Sequence, residues 1–221
     1  GQYKYFPWKA GTYKYPTTLH NIVKQWHSIE AVWNLMETTS HRQNKRYKRV
    51  AMLRNDALYA TPIDIYQLDK DSYDRDNRQA VIPAFGRYPV NDRLAYGPYD
   101  AMKIWATERF PRVENHTRTN PDYGFTLHSE RYLNHTILTA IRTETNISIT
   151  ENPDICLFRT RADETVWTSD CTTWQGSTRG FDDINKNKLV ESILGRRCSS
   201  SLIHGGQAVS QQSHCPTRQK N

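Results

Sequence analysis

The sequence predicts an α/β fold, a mixed sheet flanked by helices, on three observations. Ile22, Trp26, Ile29, Trp33 and Met36 recur at intervals of three or four, which lines one face of a helix with apolar side chains. Val50-Ala51-Met52-Leu53 is too short for a helix and apolar enough for a buried strand, and it stops at the polar triplet Arg54-Asn55-Asp56. Further helical and strand-like stretches then alternate, a pattern that places helices against a sheet.

Each element has its own local grounds. Residues 1–16 are rich in aromatics and Lys and are punctuated by Pro7, Gly11 and Pro16, so they read as an irregular segment. Thr17 or Thr18 offers a hydroxyl to cap the first helix, and the polar residues 41–45 end it. A strand over 47–53 follows. Residues 63–68 are a second extended candidate, leading into a charged loop at 69–78. Val81, Ile82, Ala84 and Phe85 suggest another short strand, and 86–92 a loop before Leu94-Ala95-Tyr96-Gly97 turns apolar again. Residues 100–110 read as a helix with Met102, Ile104, Trp105 and Phe110 on its apolar side. Residues 127–142 read as another, capped by Ser129, with Leu133, Ile137, Ala140 and Ile141 inward. Residues 147–149 and 155–158 are short strand candidates. The expected organisation is an irregular segment 1–16, an α/β domain 17–191 and a basic tail 192–221 whose polar composition predicts disorder.

The net charge of +7 is unevenly spread. Arg196, Arg197, Arg218 and Lys220 lie in a tail without acids, which accounts for +4 and leaves +3 for residues 1–191. A second acid-free cluster, Arg42, Lys45, Arg46, Lys48 and Arg49, joins the first helix to the first strand. Such clusters are either solvated connections or phosphate contacts, and no nucleic-acid motif accompanies them. No apolar run approaches the roughly 20 residues that cross a bilayer, so no transmembrane segment is expected. A signal or anchor upstream would put the chain in the secretory pathway or Golgi lumen, and otherwise it would be cytoplasmic.

Cys156, Cys171, Cys198 and Cys215 are compatible with two disulfides or with thiols, and three pairings are open. The order Cys198, His204, His214, Cys215 has metal-capable residue types at a spacing that matches no compact zinc unit. Asn115, Asn134 and Asn146 head N-x-Ser/Thr sequons, a number that composition alone would nearly yield.

There is no G-x-S-x-G elbow, no G-x-x-x-x-G-K-[ST] loop, no G-x-G-x-x-G and no H-E-x-x-H, which removes specific support for hydrolase, P-loop, dinucleotide and zincin chemistry. What remains are acids and arginines after strand-like runs, where ligands of open α/β sheets collect: Arg54 with Asp56, Asp92 with Arg93, Glu130, and Arg159 with Arg161 and Asp163. Each has a plainer reading. Arg54 and Asp56 share a strand face and can pair with one another. Asn91-Asp92 can form a turn through side-chain to backbone hydrogen bonds, and Glu130 can simply favour a helix N-terminus. Tyr96 and Trp105 can stack on a sugar or pack in a core. Asp69-Lys70-Asp71 and Asp74-Arg75-Asp76 are literal D-x-D sequences, but no apolar strand precedes them to hold a metal rigidly.

The order of these residues resembles a group of glycosyltransferases of the GT-A type: Asn21, Gln25, Ile29 and Trp33 on the first helix, Arg54 and Asp56 at a strand end, Asn91-Asp92-Arg93 with Ala95 and Gly97, His128-Ser129-Glu130 with Leu133, and Arg159 to Asp163. The resemblance covers residues 20–163. It implies a GT-A-like fold and transfer of a sugar from a nucleoside-diphosphate sugar to a hydroxyl on a glycan or protein acceptor. On that resemblance Asp56 would hold Mn²⁺ or Mg²⁺ at the departing diphosphate, and Arg54, Arg93, Arg159 and Arg161 would bind the donor. Asp92 or Glu130 would be the catalytic carboxylate that takes the proton of the attacking hydroxyl. The strand-end triplet departs from the usual pattern in having one acid rather than two. Two alternatives stand beside this expectation: a non-catalytic carbohydrate-binding or structural protein, and a basic nucleic-acid-binding protein using the 42–49 cluster and the tail.

Overall fold

The computed structural model describes residues 14, 16–66, 78–119 and 126–160, together with the strand backbone at 6–7, 166–167, 202–204 and 207–209. The expectations placed on the D-x-D loop, on Arg161 and Asp163, and on the tail outside those strands lie beyond the described residues. In chain order the elements are β1 (Phe6–Pro7), α1 (Thr17–Arg42), β2 (Arg49–Leu53), β3 (Ala57–Tyr59), β4 (Gln79–Pro83), β5 (Leu94–Pro98), α2 (Tyr99–Thr107) and α3 (Arg109–Thr119). There follow β6 (Thr126–Leu127), α4 (Ser129–Tyr132), a π-helical turn (Leu133–Ile137), α5 (Leu138–Thr145), β7 (Ser148–Asn152), β8 (Leu157–Thr160), β9 (Val166–Trp167), β10 (Leu202–His204) and β11 (Gln207–Val209). The fold is thus mixed α/β, in two compact units: residues 1–53, 64–82 and 87–151, and residues 54–63, 83–86 and 152–221.

Among the described residues, the first unit holds every helix. Its four-stranded sheet runs β2-β5-β4-β7, with β5 antiparallel to β2 (Val50 opposite Gly97, Met52 opposite Ala95) and to β4 (Val81 opposite Tyr96). All five residues of β5 are buried, so the short run of residues 94–98 that sequence alone brings back from a loop is a central strand. Gly97 is required there: a Cβ would stand 2.8 Å from Ala80 Cα and 2.9 Å from Ala80 Cβ. Ile22, Trp26 and Trp33 of α1 turn inward onto Met102, Trp105, Tyr132, Leu133 and Ile141. Trp26 meets Phe110 edge-on at 5.7 Å and lies 5.0 Å from Tyr132, while Trp33 lies 5.1 Å from Tyr99.

Three helix boundaries differ from expectation. Neither Thr17 nor Thr18 caps α1; Pro16 occupies the cap without a side-chain hydrogen bond, and Thr18 Oγ1 instead accepts from the Lys14 amide at 2.9 Å. The helix expected over 100–110 divides at Glu108, and α3 carries the buried stripe onward through Arg109, Val113, His116 and Thr117. Pro111 does not stop it, because a proline in the first helical turn lacks only an amide that would have had no intrahelical partner. The helix expected over 127–142 begins at Ser129 with His128, not Ser129, as its cap, widens into the π-helical turn, and ends where Asn146 takes a left-handed conformation (φ 54°).

The second unit is built on a sheet ordered β11-β10-β9-β8-β3, antiparallel except for the β9–β10 pair, and therefore mixed. Its β3 replaces the extended stretch expected at 63–68, of which residues 63–66 are irregular. Ala57–Tyr59 is too weakly apolar to announce itself and is strand because β8 pairs with it, Leu58 opposite Phe158. Leu157 and Phe158 are fully buried. Cys156, also buried, is disulfide-bonded, which decides between thiol and disulfide for that cysteine. Among the described residues no helix is long and apolar enough to cross a membrane.

Candidate functional site

In the first unit two expected segments meet. Asn91 is 1% exposed, and its Oδ1 accepts from the Arg93 amide at 2.9 Å. The turn that Asn91-Asp92 was expected to form is therefore closed by Asn91, which leaves the Asp92 carboxylate for a distant partner. That partner is Ser129, whose hydroxyl donates to Asp92 Oδ2 at 3.1 Å across 37 positions of sequence. Glu130 follows, with its Oε2 3.2 Å from His128 Nδ1. Burial is the main cause that depresses His128 to about 4, the positive charge of Arg131 adds to it, and Asp92 opposes it. The imidazole is consequently neutral at neutral pH, and its contact with Glu130 is a hydrogen bond rather than an ion pair. Nδ1 also lies 3.4 Å from the Arg131 amide, a contact that needs the other tautomer. The shorter, charge-assisted bond favours a proton on Nδ1 donated to Glu130, since a bare lone pair there would face a carboxylate.

Arg109 completes the cluster. It is 1% exposed, donates from Nε to the Trp105 carbonyl at 3.1 Å, and lies over the Trp105 ring at 4.9 Å. Its Nη1 and Nη2 are buried without a hydrogen-bond partner. Burial lowers its pKa to about 10, against the opposing attraction of Asp92, so it stays cationic at neutral pH. Tyr132 OH donates to the Arg109 carbonyl at 2.6 Å, and burial raises the Tyr132 pKa, which keeps that donor protonated. The helical turn that carries Ser129 to Asp92 thus also carries Tyr132 to the backbone of Arg109. Sequence reasoning passed over Arg109; its only signal was a charge at an inward position of the stripe formed by Met102, Trp105, Arg109 and Val113. Tyr96 and Trp105, expected either to stack on a sugar or to pack, are 2% and 1% exposed and belong to the core.

In the second unit Arg54 and Asp56 take up the plainer arrangement. Arg54 donates from Nε to Asp56 Oδ1 at 2.7 Å and from Nη2 to Oδ2 at 2.6 Å, a bidentate pair whose side chains are 33% and 45% exposed. Tyr59 OH accepts from the Arg54 amide at 2.8 Å and donates to the Arg54 carbonyl at 3.0 Å. The Asp56 carbonyl accepts from both the amide and the hydroxyl of Thr160. Arg159 lies on β8 opposite Ala57. Of the expected site residues, Asp92, Arg93 and Glu130 therefore belong to the first unit and Arg54, Asp56 and Arg159 to the second.

The basic connection loses one member. Arg42, Lys45, Arg46 and Lys48 are exposed, whereas Arg49 is buried, donates from Nη2 to the Gln79 carbonyl at 3.1 Å and faces the Tyr66 ring at 6.0 Å. Comparison of the chain with family models, curated proteins and solved structures finds no match.

Proposed function

We propose that this protein is a glycosyltransferase of the GT-A type that moves a sugar from a nucleoside-diphosphate sugar to a hydroxyl of a glycan or protein acceptor. The observation that carries the reading is the 3.1 Å bond from Ser129 to Asp92, which joins two of the motifs that resemble that family and sets a carboxylate in the field of the buried Arg109. In an inverting transfer the acceptor oxygen bonds to the sugar C1, the bond from C1 to the diphosphate breaks, and the nucleoside diphosphate leaves with the electron pair. The proton of the attacking hydroxyl then goes to a carboxylate, a role for Asp92, which is only partly buried and has one oxygen fixed by Ser129. Glu130, oriented by His128, is the second carboxylate of the cluster.

On the donor side the reading assigns Arg54, Arg159 and Arg161 to the diphosphate, whose negative charge grows as it leaves. Asp56 gives both oxygens to Arg54. Mn²⁺ or Mg²⁺ on Asp56 is the alternative. It requires the ion to replace Arg54, and turnover that depends on Mn²⁺ and is lost in Asp56→Asn would select it.

The test is nucleotide release from a panel of nucleotide sugars, with thermal shift alongside. Release by the wild type is expected, and Asp92→Asn should lower it by a factor on the order of 10²–10⁴ with unchanged circular dichroism. No release and no stabilisation by any nucleotide sugar would overturn the proposal. Sugar binding without release would favour the non-catalytic carbohydrate-binding alternative. The exposure of Arg42, Lys45, Arg46 and Lys48 favours the nucleic-acid reading as the other competitor, and that reading demands binding that weakens steeply with salt.

A further inference from the structure

The three sequons, equivalent in the sequence, are not equivalent in the fold. At Asn115 the sequon lies within α3, with Thr117 6% exposed and its hydroxyl donating to the Glu114 carbonyl at 3.0 Å. At Asn134 it lies in the π-helical turn: Asn134 is half-buried, and the Thr136 hydroxyl is 2.7 Å from His116 Nδ1. Asn146 differs from both. It ends α5 in a left-handed conformation (φ 54°, ψ 33°) and leads directly into β7. Asn146 and Ser148 are exposed while Ile147 between them is 1% exposed, so the chain has already adopted the alternation in which positions i and i+2 face the same way. Neither the Asn146 nor the Ser148 side chain hydrogen-bonds to another described residue.

We propose that Asn146 is a site of N-linked glycosylation. The amide nitrogen and the hydroxyl two residues on must reach the transferring enzyme together, and here both project to solvent from a turn on the β7 edge of the sheet. The co-substrate is a lipid pyrophosphate-linked oligosaccharide. The Asn146 amide nitrogen bonds to the sugar C1, the bond from C1 to the pyrophosphate oxygen breaks, the lipid pyrophosphate departs with the electron pair, and the nitrogen gives one proton to a base of the transferring enzyme. The Cys156 disulfide points to the same setting, since disulfides persist in oxidising compartments such as the lumen where this transfer takes place. A glycan on this exposed turn displaces no core contact, whereas one on Asn134 would have to be fitted beside the buried Leu133 and Ile137. The proposal stands whether or not the chain itself transfers sugars.

The full chain, expressed behind a cleavable secretion leader in a eukaryotic cell, is purified from medium or lumenal membranes. Glycopeptides are then mapped by mass spectrometry before and after enzymatic deglycosylation in heavy-oxygen water. The expected result is a glycan on Asn146, abolished by Asn146→Gly, which keeps the left-handed turn, and by Ser148→Ala, and retained in Ser148→Thr. Secreted or lumenal chain with Cys156 oxidised and Asn146 unmodified would overturn the proposal, as would occupancy at Asn134 in place of Asn146.

Discussion

Arg109 is where stability and the proposed chemistry pull apart. A fully buried guanidinium with Nη1 and Nη2 unpartnered is desolvated without full compensation, and apolar replacements of buried charges are often neutral or stabilising by about 1–4 kcal/mol. Arg109→Met is therefore expected to leave the urea midpoint unchanged or raise it, while lowering nucleotide release; a clear loss of stability would show instead that the cation holds the fold together. Ser129→Ala should cost about 1 kcal/mol, the usual net worth of one hydrogen bond. His116 and His128 set the acid limb. Burial is the main cause holding each at about 4, against the ordinary histidine value of 6.5, so between those values the unfolded chain binds more protons than the folded one. Their contribution is complete above pH 6.5 and is lost as the pH falls toward 4, with a ceiling on the order of 3 kcal/mol each at about 1.4 kcal/mol per unit. Urea midpoints at pH 7 and pH 4.5 measure it, and His116→Asn should flatten part of the slope. Glu37, held low chiefly by the hydrogen bond from Tyr99, adds a further loss at lower pH.

Pairing and packing decide the elements wherever the local signal is thin. Gly97→Ala is expected to destabilise by about 1–3 kcal/mol, toward the upper end, because the added carbon meets Ala80 Cα and the Gln79 carbonyl, which are backbone and cannot swing away. Chemical denaturation measures this. Asp56→Asn should by contrast cost under about 1 kcal/mol, since its pair with Arg54 is well over a third exposed on one side, so any effect on donor binding would be separable from folding. The stripe of α1 was legible because five apolar residues at helical spacing leave little choice of partner face. Its cap was not, since burial of Trp26 and Trp33 holds the helix without help from a threonine hydroxyl. β5 and β3 were obscure for a related reason: neither is long or apolar enough alone, and each becomes strand through β2 and β4 in one case and β8 in the other.

At the scale of the whole molecule the chain forms two compact units, and among the described residues the helices lie in the first of them. The second unit interleaves with the first in sequence, at 54–63, 83–86 and beyond 152, so no shift in composition marks the boundary. It also carries the Cys156 disulfide. Reduction of that bond is expected to destabilise by about 2–4 kcal/mol, seen as a lower melting temperature in reductant, with Cys156→Ala showing a similarly lowered melting temperature without reductant.

Periodicity, composition and the list of polar residues after apolar runs were enough to establish a mixed α/β fold and the inward face of α1, and to pick out Asp92 and Glu130 as polar residues that follow apolar runs. All of these are properties of neighbouring residues, which local sequence records. The tertiary structure alone made Asn91 the turn-former and released Asp92 to Ser129, placed Arg109 within the field of that carboxylate, paired Arg54 with Asp56, and separated Asn146 from its two sister sequons. Each of those outcomes depends on what lies opposite a side chain in space or on whether water reaches it, and neither is written in the spacing of residues along the chain.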